Sequence, residues 1–262
     1  MSISNSLLST FSKDALNGQT VLVTGATSGI GASVSDHLYQ YGANLVLIGR
    51  NKKSLAKAQN RYSSNRVITI EVDLLEPDII LEKVKSIKNE YLPFTGVFHA
   101  AGLELIRPVN YLKHHDLYQL SMPTIFSGLS IGTLISNKKY MADGGSCIFM
   151  SSVASVKGTV GLSAYAACKG AINSFSKSLA AEVSSRSVRV NTILPGAVET
   201  PMHQRIFSKI PKDTSNHYEK NHPLGFGTTD DIAGLVIFLL SPASRWITGS
   251  SILIDGGYML SN

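Results

Sequence analysis

The sequence predicts an α/β fold, a doubly wound parallel sheet with helices on both faces, in a single domain over residues 1–262. Three observations predict it. The strand-like runs are apolar throughout rather than alternating, as strands covered on both faces are. Segments with the 3.6-residue spacing of amphipathic helices separate them. A glycine-rich turn joins the first run to the first helix, at the end of the sheet where such folds hold ligands.

Residues 20–24 (TVLVT) form the first strand, and a helix over 31–41 carries Val34, Leu38 and Tyr41 on one face. Strand 44–48, helix 55–62, strand 67–72 and helix 79–87 follow. Strand 95–98 ends at His99-Ala100-Ala101-Gly102, and a long helix is expected over 124–140. Strand 147–150, helix 164–183, strand 188–194, helix 231–240 and strand 251–254 complete the alternation. Residues 1–16 read as an N-terminal extension. The segment 199–223 breaks the rhythm: it is polar and irregular and holds His203, His217 and His222. It reads as a poorly ordered surface excursion or, the favoured reading because it lies between two well-defined elements, as a substrate lid, since lids must be marginally stable to move.

Composition narrows the function. Hydrophobic residues make up 44% and charged residues 16%, an ordinary globular balance. The net charge of +6 comes from scattered Lys and Arg, without the dense block that grips nucleic acid. It suits a small anionic ligand such as a nucleotide cofactor. Cys147 and Cys168 lack the CxxC or His spacing of zinc sites, so no metal is expected, and two unpatterned cysteines suit a reducing compartment. Residues 1–17 lack the basic-then-apolar order of a secretion signal, and no apolar run reaches the roughly 18 residues of a membrane helix. The expectation is a soluble, cytoplasmic protein with no membrane partner.

Two constellations carry chemistry. The first is the turn Thr24-Gly25-Ala26-Thr27-Ser28-Gly29-Ile30-Gly31. Its glycines permit a tight turn and close backbone approach to a pyrophosphate, and the following helix offers free N–H groups and the positive end of its dipole. The second strand ends Ile48-Gly49-Arg50-Asn51, where the adenosine ribose would lie. No carboxylate stands there to hold a 2′-hydroxyl. Arg50 can meet a 2′-phosphate, with Lys52 and Lys53 behind it, so NADP(H) is favoured over NAD(H). The second constellation is Tyr165 and Lys169, four residues apart and therefore on one helix face, together with Ser152 just after the fifth strand. A nearby ammonium lowers a phenol's pKa, making Tyr165 a general acid for a carbonyl or a base for an alcohol. Ser152 would hydrogen-bond the reacting oxygen; read alone, it is a turn or cap serine.

In ordered motifs the chain resembles the short-chain dehydrogenase/reductase family in its single-domain, Rossmann-like form, from Asn17 to the C-terminus. The motifs are TGATSGIG at 24–31, Asp73 after the third strand, HAAG at 99–102, Ser152, YAACK at 165–169, VRVNTILPGAVETPM at 188–202 and ITGSSILIDGG at 247–257. The resemblance implies an NAD(P)-dependent oxidoreductase close in flavour to 3-oxoacyl-thioester reductases, passing hydride between nicotinamide C4 and a carbonyl or secondary alcohol. It implies that Tyr165 moves the proton, that Lys169 lowers the Tyr165 pKa and holds the nicotinamide ribose, and that Ser152 orients the substrate. Gly25, Thr27, Ser28, Gly29, Ile30 and Gly31 would line the phosphates, and Arg50 and Asn51 would meet the adenosine ribose. Asp73 and Leu74 would face the adenine, Ala101 and Gly102 would flank the ribose, and Val198 and Thr200 would hold the carboxamide. The family's NAAG is HAAG here, a change that bears on fold support. Its relay asparagine is replaced by Thr124, preceded by Pro123; a threonine hydroxyl can support a water, and a proline can distort the helix start. The pocket walls would be 103–108, 155–160 and 199–223, with no recognition cluster in any. The resemblance also implies a homo-oligomer, a dimer or tetramer, built on the helices at 124–140 and 164–183. The alternative reading, motivated by Thr124 and His99, is a non-catalytic nucleotide sensor or scaffold of the same fold.

Overall fold

A computed structural model describes residues 11–62, 65–208, 215 and 218–261. Seven strands form one parallel sheet in the order β3-β2-β1-β4-β5-β6-β7. They are β1 (Thr20–Thr24), β2 (Asn44–Gly49), β3 (Val67–Glu71), β4 (Phe94–His99), β5 (Met141–Met150), β6 (Arg189–Pro195) and β7 (Ser251–Ile254). The helices are α1 (Gly29–Gln40), α2 (Lys52–Gln59), α3 (Ile79–Lys85), α4 (His114–Ser121), α5 (Ser127–Ile135), α6 (Ser163–Val183), α7 (Pro201–Phe207) and α8 (Thr229–Leu240).

Alternation along each strand builds the two faces. In β1, Val21 and Val23 point one way, into a core with Leu38 and Val34 of α1 and Val236 and Ile237 of α8. Leu22 points the other way, among Ile131 of α5, Ile172 and Leu179 of α6 and Ile80 of α3. Both faces are apolar because both are covered, so all five residues of β1 are buried. The chain runs from β1 out to β3 and then returns to β4 on the other side of β1. That reversal opens a crevice at the carboxyl ends of β1 and β4.

Several elements differ from expectation. Residues 11–16 do not extend from the domain: Leu16 is fully buried, its N–H donates to the Tyr41 carbonyl at 3.0 Å, and Phe11 packs edge-on against Tyr41. Residues 1–10 lie outside the described residues. The expected helix over 124–140 ends at Ile135, because Asn137 starts a turn in which its side chain accepts from Lys139 N–H at 2.9 Å. The amino end of that helix is preceded by α4, which the sequence reading missed, and by a π-turn over Met122–Phe126. In the π-turn the Ser127 N–H reaches back five residues to the Met122 carbonyl. Segment 199–223 is not irregular throughout. Its first part is α7, capped by Thr200, whose hydroxyl accepts from His203 N–H at 3.1 Å. His217 lies outside the described residues.

Phe149 of β5 is fully buried and makes edge-to-face contacts with His99 at 5.7 Å and Phe175 at 5.8 Å. Truncating it leaves a cavity between sheet and helices that neighbours cannot fill. Phe149→Ala is therefore expected to cost about 3–5 kcal/mol in urea unfolding; a loss under 1 kcal/mol would show that the packing here is loose.

Candidate active site

The carboxyl ends of β1, β4, β5 and β6 open onto one cavity of about 620 Å³, within the range of small-ligand sites. Its two ends are built differently.

At one end is the turn after β1. Gly25 has φ +67°, and a Cβ there would meet the Ala101 backbone at 3.0 Å. A Cβ on Gly31 would lie 2.3 Å from the Gly25 carbonyl oxygen. No side chain fits either position, so the loop packs backbone on backbone. Ser28 precedes α1 in extended conformation, its side chain makes no cap hydrogen bond, and the first turn holds no acidic residue. The leading amides of α1 therefore await an outside acceptor, which fits a dinucleotide pyrophosphate. Thr27, Gly29 and Ile30 line the same space, as do Arg50 at the end of β2, Asp73, Leu74, Ala101, Gly102, Val198 and Thr200. Asn51 does not. It caps α2, its side-chain oxygen accepting from Ser54 N–H at 2.9 Å. Among the described residues, no group of His, Cys, Asp or Glu gathers as a metal site would, and no helix is long and apolar enough to cross a membrane.

At the other end, α6 brings Tyr165 and Lys169 to the tip of β5. Lys169 is buried and its Nζ donates to the Met150 carbonyl at 2.9 Å. Ser151 Oγ donates to the Lys169 carbonyl at 3.0 Å, so residue 169 is tied to the strand end at both its backbone and its ammonium. Lys169 Nζ lies 5.7 Å from the centre of the Tyr165 ring. Ser152 caps a short turn, its hydroxyl accepting from Ala154 N–H at 3.2 Å, and it is also hydrogen-bonded to Tyr165.

The electrostatics depart from expectation. In the protein alone the Tyr165 phenol stands above its ordinary value. Burial pushes the phenol up, the Glu104 carboxylate pushes it further, and the Ser152 hydroxyl pulls it back. Burial also pushes Lys169 down to about 8, against the opposing influence of Cys168 and Glu104. Glu104 was missed as a site residue, although it lies in a stretch expected to wall the pocket. Burial raises its pKa and Lys169 lowers it. Tyr218 and Tyr258, also missed, line the cavity opposite.

Thr124 is buried behind the cavity wall, which is lined at that point by Pro123. A Cβ placed on Gly102 would lie 3.2 Å from Lys169 Nζ and 3.5 Å from Thr124 Oγ1, so the hydroxyl and the ammonium flank the same glycine. The π-turn that carries Thr124 is held by His99. Ser127 Oγ donates to the Pro123 carbonyl at 2.7 Å, so the His99 Nε2 it meets carries the proton, and Thr24 Oγ1, which accepts from Ala101 N–H at 3.3 Å, donates to His99 Nδ1 at 2.8 Å. His99 Nε2–H then faces Ser127 Oγ at 3.2 Å and the backbone of Pro123 and Thr124. The imidazole is thus a neutral strut from β1 to the π-turn, consistent with the support role implied for the changed HAAG position.

The chain matches the family model described as "Enoyl-(Acyl carrier protein) reductase" over residues 25–259, and it belongs to the short-chain dehydrogenase/reductase family. It is an NAD(P)-dependent oxidoreductase. A 3-oxoacyl-[acyl-carrier-protein] reductase of Mus musculus is 30% identical, covering 91% of this chain and 97% of that one. A tropinone reductase homolog of Arabidopsis thaliana is 32% identical, covering 94% and 92%. A blue fluorescent protein from a metagenomic library, solved with NADPH, superposes with a TM-score of 0.82 at 26% identity, covering 93% and 99%.

The strut sets a pH dependence. Burial, with Lys169 adding to it, lowers the His99 pKa to about 3. The unfolded chain takes up a proton near pH 6.5 that the folded chain refuses until about 3. Stability is therefore full above about 6.5 and is lost as pH falls towards 3, by up to about 1.4 kcal/mol per pH unit. Thermal midpoints measured from pH 7 to pH 4 should fall less steeply in His99→Asn than in the wild type; parallel slopes would refute the assignment.

Proposed function

We propose that the chain reduces a ketone, of the 3-oxoacyl or a related small-carbonyl class, preferring NADPH to NADH. The observation that carries the reading is the meeting of Ser152, Tyr165 and Lys169 in the cavity whose far end is the uncapped, carboxylate-free start of α1. The bound cofactor supplies hydride at nicotinamide C4. The chain's own residues do the rest. Tyr165, its pKa raised, stays protonated at working pH and donates to the substrate oxygen as negative charge develops there. Ser152 donates a second hydrogen bond to that oxygen. Lys169 holds the ribose hydroxyls, and its ammonium steadies the tyrosinate left after proton transfer. Names of relatives support the carbonyl class: the mouse protein is a 3-oxoacyl reductase. NADPH is supported by exposed Arg50 beside the cavity and by the NADPH-bound structural neighbour. α7 and Tyr218, which line the cavity, are the described part of a substrate lid in this reading. The exposed apolar side chains of Leu117, Tyr118, Phe126 and Leu129 along α4 and α5 support a homo-oligomer.

Following NADPH oxidation over a panel of ketones and oxoacyl thioesters tests the reading. Tyr165→Phe should lower kcat by about 10²–10⁴-fold while circular dichroism and thermal midpoint stay near wild type. Turnover indifferent to that change would sink the mechanism. Separately, Arg50→Ala should weaken NADPH binding roughly tenfold or more and leave NADH binding little altered, as loss of a charged hydrogen bond requires. Equal weakening of both in cofactor fluorescence titrations would remove the 2′-phosphate role.

A further inference from the structure

Glu104 is the acidic side chain that this site holds in addition to its Ser, Tyr and Lys. It lines the cavity with Tyr165, Lys169, Tyr218 and Tyr258. Its carboxylate interacts electrostatically with Tyr165, Lys169 and Tyr218, so it faces the space between the proton donor and the opposite wall. The backbone that bears it is fixed. Leu103 and Leu105 on either side pack into a cluster with Cys168 and Tyr165. Arg107 N–H donates to the Gly161 carbonyl at 2.7 Å, and the Arg107 side chain is ion-paired with Asp116. Yet no described residue hydrogen-bonds the Glu104 carboxylate or comes within ion-pair distance, since the Lys169 ammonium is engaged by the Met150 carbonyl. The rings of Tyr218 and Tyr258, which line the same cavity, lie 5.4 Å apart.

We propose that Glu104 is a specificity-determining residue that selects substrates carrying a protonated amine a few bonds from the reacting carbon. A carboxylate only accepts hydrogen bonds. Water serves it in the open cavity, but an entering substrate displaces that water. A substrate without a donor leaves the carboxylate buried and unsatisfied, and sites that must hydrogen-bond a substrate group discriminate strongly against analogues lacking it. An ammonium answers both the hydrogen-bonding need and the charge. A hydroxyl answers only the first. The proposal rests on the carbonyl-reductase reading above.

The test uses the full chain with NADPH and three ketones: 4-(dimethylamino)cyclohexanone, its near-isostere 4-isopropylcyclohexanone, and 4-hydroxycyclohexanone. Comparing ketones within one variant cancels the effect of Glu104 on Tyr165, which is common to all three. The wild type should favour the amino ketone over the isopropyl ketone in kcat/KM by about tenfold or more, with the hydroxy ketone between them. In Glu104→Gln and Glu104→Leu the amino-to-isopropyl ratio should collapse towards one. A wild-type ratio near one, a hydroxy ketone preferred to the amino ketone, or a ratio unchanged in both variants would overturn the proposal. A second readout separates it from its parent. The corresponding amino alcohol, with NADP⁺ present, should raise the wild-type thermal midpoint and not that of Glu104→Gln. If no ketone is turned over, the reductase reading falls, and this binding arm alone decides whether Glu104 recognises the amine.

Discussion

The site depends on burying one ammonium without giving it a carboxylate partner. Lys169 meets this constraint by donating to the carbonyl of Met150, the last residue of β5. That bond, with the one from Ser151 to the Lys169 backbone, sets the height and rotation of α6 on the sheet. One helical turn earlier the same rotation delivers Tyr165 to Ser152. Because β5 pairs with β4, and β4 with β1, the strand end that anchors Lys169 is two strands from the phosphate turn. Hydride donor and proton donor can thus meet across one crevice although their residues are far apart in sequence.

The charges in this crevice oppose one another. Burial favours neutral forms of both Tyr165 and Lys169, and Glu104 reinforces that preference for the phenol while opposing it for the amine. The protein alone therefore keeps the tyrosine protonated, the state a reductase needs before it acts. The family resemblance assigns to Lys169 the stabilising of tyrosinate. Pre-set hydrogen bonds from Ser152 supply the part of that stabilisation that the resting structure already contains.

Much of this was legible in the sequence, where local pattern and local chemistry coincide. The apolar runs gave the parallel sheet because burial on both faces leaves no alternation to read. The spacing of Tyr165 and Lys169 carried their shared face. What escaped notice depends on contacts distant in sequence. The π-turn at Met122–Phe126 is braced by His99 from β4, and Pro123 alone does not announce it. α4 shows its apolar Leu117 and Tyr118 to the outside, which blurs the stripe by which helices are found. Its signal was Asp116, which accepts from Lys113 N–H at the helix start. Asn51 looked like a ribose ligand by position but serves as a cap. Glu104 is one carboxylate in a loop, and only the fold brings it opposite Tyr218.

The last turn of the described chain is fastened from three directions. Lys157 donates to the carbonyls of Tyr258 and Ser261 at 3.1 and 2.7 Å, and Ser261 Oγ donates to the Asn221 carbonyl at 2.9 Å. Tyr258 itself stacks on His222 at 4.6 Å, and His222 accepts from Ala197 N–H beside Pro195-Gly196. The cavity wall at Tyr258 is thus held by contacts from Lys157, His222 and the turn that ends at Ser261. Losing the Lys157 ammonium would therefore loosen that wall at Tyr258 and Ser261 together.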